Sequence, residues 1–167
     1  MRMSINNSSY IQRKTSSGFT LIELMVTIAV LAIIVSIAAP NISNQLANQR
    51  VKSTTATLHN ALKEARVESM IRRQDVEVTI NSNGTAAGSI VITGGNSLNI
   101  ATYSHSAKST VKAVDGGGVA VTNIKFKPSK MADTRTFTIC DNTQTASPRK
   151  IMVSEVANIA VHLGGTC

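Results

Sequence analysis

Chemistry needs ionisable or nucleophilic side chains in company, and this 167-residue chain offers few such groupings. One carboxylate stands out. Glu23 lies in "TSSGFTLIELMVTIAVLAIIVSIAAP", where the run from Phe19 to Ala39 is otherwise uncharged. A lone carboxylate in hydrocarbon is costly, so its presence calls for a cationic or hydrogen-bonding partner.

The other candidates are weaker. His59, His105 and His162 have no metal-ligand spacing with each other or with Cys140 and Cys167, the only two cysteines. Ser, His and Asp occur without a nucleophile elbow. "DGGGV", residues 115–119, follows a strand pattern but opens no helix, so it reads as a turn rather than a phosphate cradle. Glu64 and Glu68 sit one helical turn apart, but Lys63 and Arg66 beside them indicate a solvated face. No catalytic residues, cofactor site or metal site are expected, and the chain does not read as an enzyme.

The element that must position Glu23 is a helix. Phe19 to Ala39 would rise about 32 Å, enough to cross a bilayer. Arg2, Arg13 and Lys14 precede it with no acid, which predicts a cytoplasmic N-terminus and an exported remainder. Three readings of this segment compete. A secretory signal fits poorly, because Pro40 follows "SIAA" immediately. A plain membrane anchor leaves Glu23 unexplained. A cut after Gly18 would give Phe19 a free ammonium, with Glu23 as the fifth residue, one turn from a helix N-terminus.

Beyond Pro40, which should loosen or bend the helix, Val51, Thr55, Leu58, Leu62, Ala65 and Ser69 recur at alternating spacings of four and three. One long helix over about 19–72 is therefore expected, its second half lying on a head. After "IRRQD" the period becomes two. Val76, Val78 and Ile80 alternate with polar residues, and Asn83-Gly84 signals a hairpin. "SIVIT", "SLNIATY", "TVKAV", "VAVTNIKFK", "RTFTIC" and "KIMVSEVANIAVH" each read as a strand. The class is α+β, a helix followed by one antiparallel sheet or two. An exported head would pair Cys140 with Cys167, closing a loop worth about 3–4 kcal/mol by chain entropy; free thiols are the alternative.

"GFTLIELMVTIAVLAIIVSIAAP" closely resembles the class III leader and N-terminal helix of type IV pilins, at Gly18, Phe19, Glu23 and Pro40. The resemblance implies a type IV pilin fold, with a long N-terminal helix packed on an antiparallel β-sheet head. It implies a leader at 1–18, a transmembrane and filament-core helix at 19–39, an amphipathic continuation at 40–72 and a β-rich head at 73–167. It also implies cleavage between Gly18 and Phe19 by a prepilin peptidase, N-methylation of Phe19, and pairing of Glu23 with an adjacent subunit's N-terminus during assembly. The chain would wait in the inner membrane by helix 19–39 with a periplasmic head, then enter a pilus.

Within the pilins, "LHNALKEARVESMIRR" and "FTICDNTQTASPRKIMVSEVANI" resemble the GspH/FimT/FimU family, at Leu58, Ala61, Leu62, Ala65, Arg66, Glu68, Cys140, Asp141, Arg149, Ile151, Val153 and Ser154. Residues 80–130 carry no such resemblance. The family implies a minor pilin priming assembly or sitting at the tip, with other minor pilins, the major pilin and the inner-membrane assembly platform as partners. The alternatives are a GspH-type pseudopilin of type II secretion and a FimT-type DNA-uptake pilin. FimT-type members bind DNA through Gly-Arg-x-Arg, which aligns here on Ala157, Asn158, Ile159 and Ala160, so both arginines are missing.

Charge leaves a residual question. From Asn41 onward 14 basic residues face 8 acidic ones, an excess of six. Lys125, Lys127, Lys130 and Arg135, or Arg149 and Lys150, could touch phosphates, although a solvated strand face is the reading preferred for them. With aromatics at 3% and no Trp, base stacking has few rings to use.

Overall fold

A computed structural model describes residues 18–82 and 85–167, with the backbone alone for 38–41. The leader, apart from Gly18, and the Asn83-Gly84 turn lie outside the described residues, as do the side chains around Pro40. The chain forms two compact units, Met1–Ala39 and Pro40–Cys167.

The backbone is helical over α1, Leu21–Arg72. In the first unit every described side chain from Gly18 to Ile37 is exposed, the apolar ones included. An apolar surface of that extent must be covered by lipid or by other helices. Among the described residues no single helix is long and apolar enough to cross a membrane; Leu21–Ile37 meets that test only together with Ile42–Arg72.

In the second unit, all six residues of the predicted stripe, Val51, Thr55, Leu58, Leu62, Ala65 and Ser69, are buried, joined by Ala47, Thr54 and Ala61. Two antiparallel sheets complete the core. The first contains β1 (Val76–Asn81), β2 (Gly88–Thr93), β3 (Asn99–His105) and β6 (Asn123–Phe126), in the order β3-β2-β1-β6. The second contains β4 (Ser109–Asp115), β5 (Ala120–Val121), β7 (Arg135–Asp141), β8 (Arg149–Val153) and β9 (Ile159–Leu163), in the order β5-β4-β7-β8-β9. Register sets the inner faces. Ile124, Val78 and Ile92 stand opposite one another across the first sheet, as do Ala113, Phe137 and Ile151 across the second, and all are buried.

Two predicted strands are divided. Residues 119–127 pass from one sheet to the other. Ala120–Val121 pairs with β4, and Asn123–Phe126 pairs with β1, with Thr122 between them accepting from the Ile80 N–H at 2.8 Å. The segment "KIMVSEVANIAVH" folds into a hairpin. The Ser154 N–H donates to the Asn158 carbonyl at 3.0 Å, and Ala157 takes φ 54° in the turn. A left-handed alanine costs about 1 kcal/mol, and no glycine advertises the turn.

Candidate assembly site

The first turn of α1 is built by Thr20. Its hydroxyl accepts from the Glu23 N–H at 3.2 Å, and its carbonyl accepts from the Leu24 N–H at 3.2 Å. Thr20-x-x-Glu23 is therefore an N-cap with the acid at the third helical position, where the dipole favours negative charge. Among the described residues the Glu23 carboxylate itself has no ion-pair or hydrogen-bond partner. Gly18 and Phe19 precede the helix and are exposed. This terminus offers a capped helix end, a carboxylate with no partner among the described residues and an uncovered apolar surface. Thr20 was passed over in the sequence reading, although S/T-x-x-E is an N-cap signature.

The second unit carries a hub that no local pattern announced. The Asp141 carboxylate, its side chain 0% exposed, accepts Arg50 Nε at 2.8 Å and Nη2 at 3.3 Å. It also accepts the Thr143 hydroxyl at 2.6 Å and the Thr143 N–H at 3.1 Å. Burial opposes the charge on Asp141, but the hydrogen bonds from Arg50 and Thr143 outweigh it and hold the carboxyl below its ordinary value. The hydrogen bond to Asp141 likewise raises Arg50, against the effect of burial. Asn48 accepts from the Ser147 N–H at 3.0 Å, so α1 also holds the loop between β7 and β8.

Asp141 adjoins Cys140, which is disulfide-bonded to Cys167 with 5.9 Å between their Cα atoms. The segment after β9 returns across the outer face of the second sheet. The Gly164 N–H donates to the Pro148 carbonyl at 2.9 Å, and Lys112 Nζ donates to the Cys167 carbonyl at 2.9 Å. A Cβ on Gly165 would lie 2.9 Å from Thr138 Cγ2 and 3.3 Å from Lys150 Cε, at φ 142°, so only glycine lets this strap lie flat.

The basic residues are dispersed. Lys125 lies on β6 opposite Glu77. Lys127 and Lys130 are exposed around a turn closed by a 3.1 Å bond from the Lys130 N–H to the Lys127 carbonyl. Arg135 is committed, donating to the Asn123 carbonyl at 3.1 Å, the Thr134 carbonyl at 3.0 Å and Asp133 at 3.2 Å. Arg149 and Lys150 are consecutive on β8 and so project from opposite faces. Ala157, which aligns with the missing arginine motif, is buried in the hairpin turn. His59 is shifted down by burial and then by Lys63. His105 is also shifted down, mainly by burial, against the pull of the Ser106 carbonyl.

A capped apolar helix followed by a two-sheet head defines the type IV pilin class. Residues 13–39 match the prokaryotic N-terminal methylation motif, and residues 54–157 match the family described as type II transport protein GspH, which extends the likeness through 80–130. The chain belongs to this GspH/FimT/FimU family of minor pilins and pseudopilins. Among solved structures, the type IV minor pilin FimU of Pseudomonas aeruginosa matches at 19% identity and TM-score 0.56, covering 71% of this chain and 96% of that one. The minor pseudopilin EpsH of the type 2 secretion system of Vibrio cholerae matches at 10% identity and TM-score 0.53, covering 71% and 99%. These likenesses establish the fold, and the motif and helix point to prepilin processing, membrane anchoring and assembly with other pilins.

Proposed function

We propose that this chain is a minor pilin that primes a type IV pilus or occupies its tip. The observation that carries the reading is the terminus of α1, where a carboxylate with no partner among the described residues stands on a capped helix whose apolar side chains from Leu21 to Ile37 are all exposed. Prepilin peptidase cuts after Gly18, and the new Phe19 ammonium is N-methylated. The helix over 19–39 anchors the subunit in the inner membrane, with the head in the periplasm, until the assembly platform inserts it. Glu23 then pairs with the N-terminus of an adjacent subunit. Coulomb attraction between such charges rises steeply as water is excluded, so the pairing favours one axial register among packed helices. Other minor pilins and the major pilin are the partners.

The test is the yield of sheared surface pili in a deletion strain whose retraction motor is also inactive. Pili that remain scarce support a role in initiation. Normal yield refutes it and redirects attention to secretion or DNA uptake, for which the dispersed basic residues give little support.

A further inference from the structure

Two sheets present four edge strands, and three of them are guarded. β5 has only two residues. β6 is covered by its own following loop, with the Asp133 N–H donating to the Lys125 carbonyl at 3.2 Å and the Lys127 N–H to the Met131 carbonyl at 2.8 Å. β3 meets β2 through a register shift at Ile92/Thr93, and its Tyr103 hydroxyl donates to Glu64 on α1. Bulges, shortness and cover are the ordinary protections against edge-to-edge pairing. β9 has none of them. It is "IAVHL", five residues in unbroken register with β8, without lysine, proline or bulge.

The register also shows which backbone groups of β9 are free. The bonds from the Ser154 N–H to the Asn158 carbonyl and from the Gly164 N–H to the Pro148 carbonyl fix hydrogen-bonded pairs at both ends of the hairpin. Alternation along an antiparallel ladder then turns the N–H and C=O of Ile159, Val161 and Leu163 away from β8. These residues share the inner face with Ile151 and Val153. Burial fails progressively there: Ala113, Phe137, Ile151 and Val161, opposite one another across four strands, are 7%, 0%, 0% and 39% exposed, and Leu163 is 76% exposed. The sheet ends one strand short of covering its own apolar face.

We infer that β9 is a docking edge for an extended strand from a different pilin subunit, adding a sixth strand to this sheet. The strand's chemistry follows from the surface. Apolar residues on one face cover Val161 and Leu163, and an acid near the Leu163 end meets Arg149 on the inner face or Lys150 on the outer. β8 and β9 carry no acid of their own, so the β9 of a second copy supplies no partner for Arg149 or Lys150 and is the poorer occupant. This inference rests on the assembly reading above and names a surface for it.

The test places a photo-crosslinking phenylalanine at Leu163, and separately at Val30 of the apolar helix, in the full-length chain within pilus-producing cells. Mass spectrometry of the adducts reads the partner. The expected result is that position 163 joins an extended segment of another pilin. With the probe at 163, Val161→Pro removes an outward N–H without touching the β8 ladder, and should lower adduct yield about tenfold or more. Leu163→Lys, with the probe at Val161, should do the same by adding an edge charge. A folded head is checked by the Cys140–Cys167 bond on non-reducing gels. Adducts from position 30 but none from 163 overturn the β9 inference and leave the assembly reading standing. Adducts from 163 to nucleic acid or to a second copy also overturn it. Absence of pilin adducts from both positions overturns the two readings together.

Discussion

Replacing Arg50 by Met tests the account of the Asp141 hub most directly. The change keeps much of the aliphatic packing and removes both guanidinium bonds, leaving a carboxylate whose side chain is 0% exposed with Thr143 as its remaining donor. Breaking a fully buried pair costs about 3–5 kcal/mol. Arg50 is 24% exposed and Thr143 stays in place, so about 2–3 kcal/mol is expected here at pH 7. Amide exchange of β7 and β8 in the detergent-solubilised chain would report this as protection reduced about 30- to 160-fold. The pH dependence discriminates further. In the wild type the folded carboxyl lies below its ordinary value, so its contribution is complete above about pH 4 and is lost as pH falls through the lowered folded value. Without Arg50 the lowering from its hydrogen bond and charge is gone, so the variant has less to lose on protonation and its deficit shrinks below about pH 4. A deficit that stays constant from pH 7 to pH 3 would refute the claim that an ionised Asp141 anchors this site.

Other outcomes follow from single contacts. A Cβ on Gly88 would lie 2.0 Å from His105 Nε2 and 2.9 Å from the Asn81 carbonyl, so Gly88→Ala should cost about 1–3 kcal/mol in thermal melts. Because burial lowers the pKa of His105, its neutral form belongs to the fold; the associated stability is full above about pH 6.5 and falls as pH drops further. His105→Phe should reduce that loss in melts at pH 5 and 7, leaving the share due to His59, which burial also shifts down. Cys167→Ser should remove about 3–4 kcal/mol of loop-closure stabilisation, seen as a lower urea midpoint. Thr20→Ala should cost about 1 kcal/mol of helix capping and speed exchange of the Glu23 amide, while Glu23→Ala should leave that exchange nearly unchanged and abolish incorporation into pili.

The long helix was readable because its buried stripe repeats at helical spacing, and those six residues are the ones the core takes. Most strands were readable for the same reason, with Val76, Val78 and Ile80 buried in alternation. The hairpin between β8 and β9 was not, since Ala157 adopts a conformation usually announced by glycine or asparagine. The transfer of residues 119–127 between sheets was hidden because both parts are extended and only pairing partners distinguish them. At the terminus, Glu23 was conspicuous as a charge without company, whereas Arg50 and Asp141 lie 91 residues apart, and although Asp141 stood out in the family pattern nothing local named Arg50 as its partner. Long-range pairs of that kind are fixed by topology, which local periodicity does not encode. The basic residues illustrate the converse: proximity in sequence suggested patches at Arg149 and Lys150, and strand alternation separates them.

The glycine strap gives the second sheet an unusual mechanical property. Strands held by hydrogen bonds alone peel one rung at a time when an end is pulled. Here the end of β9 runs back over β8 and is covalently tied to Cys140 on β7, next to the residue that grips Arg50 of the helix. A tug on β9 would bypass the β8 rungs and pass through the disulfide into Asp141 and the helix as shear. The edge strand with the least cover is thus the one whose load is carried furthest into the molecule.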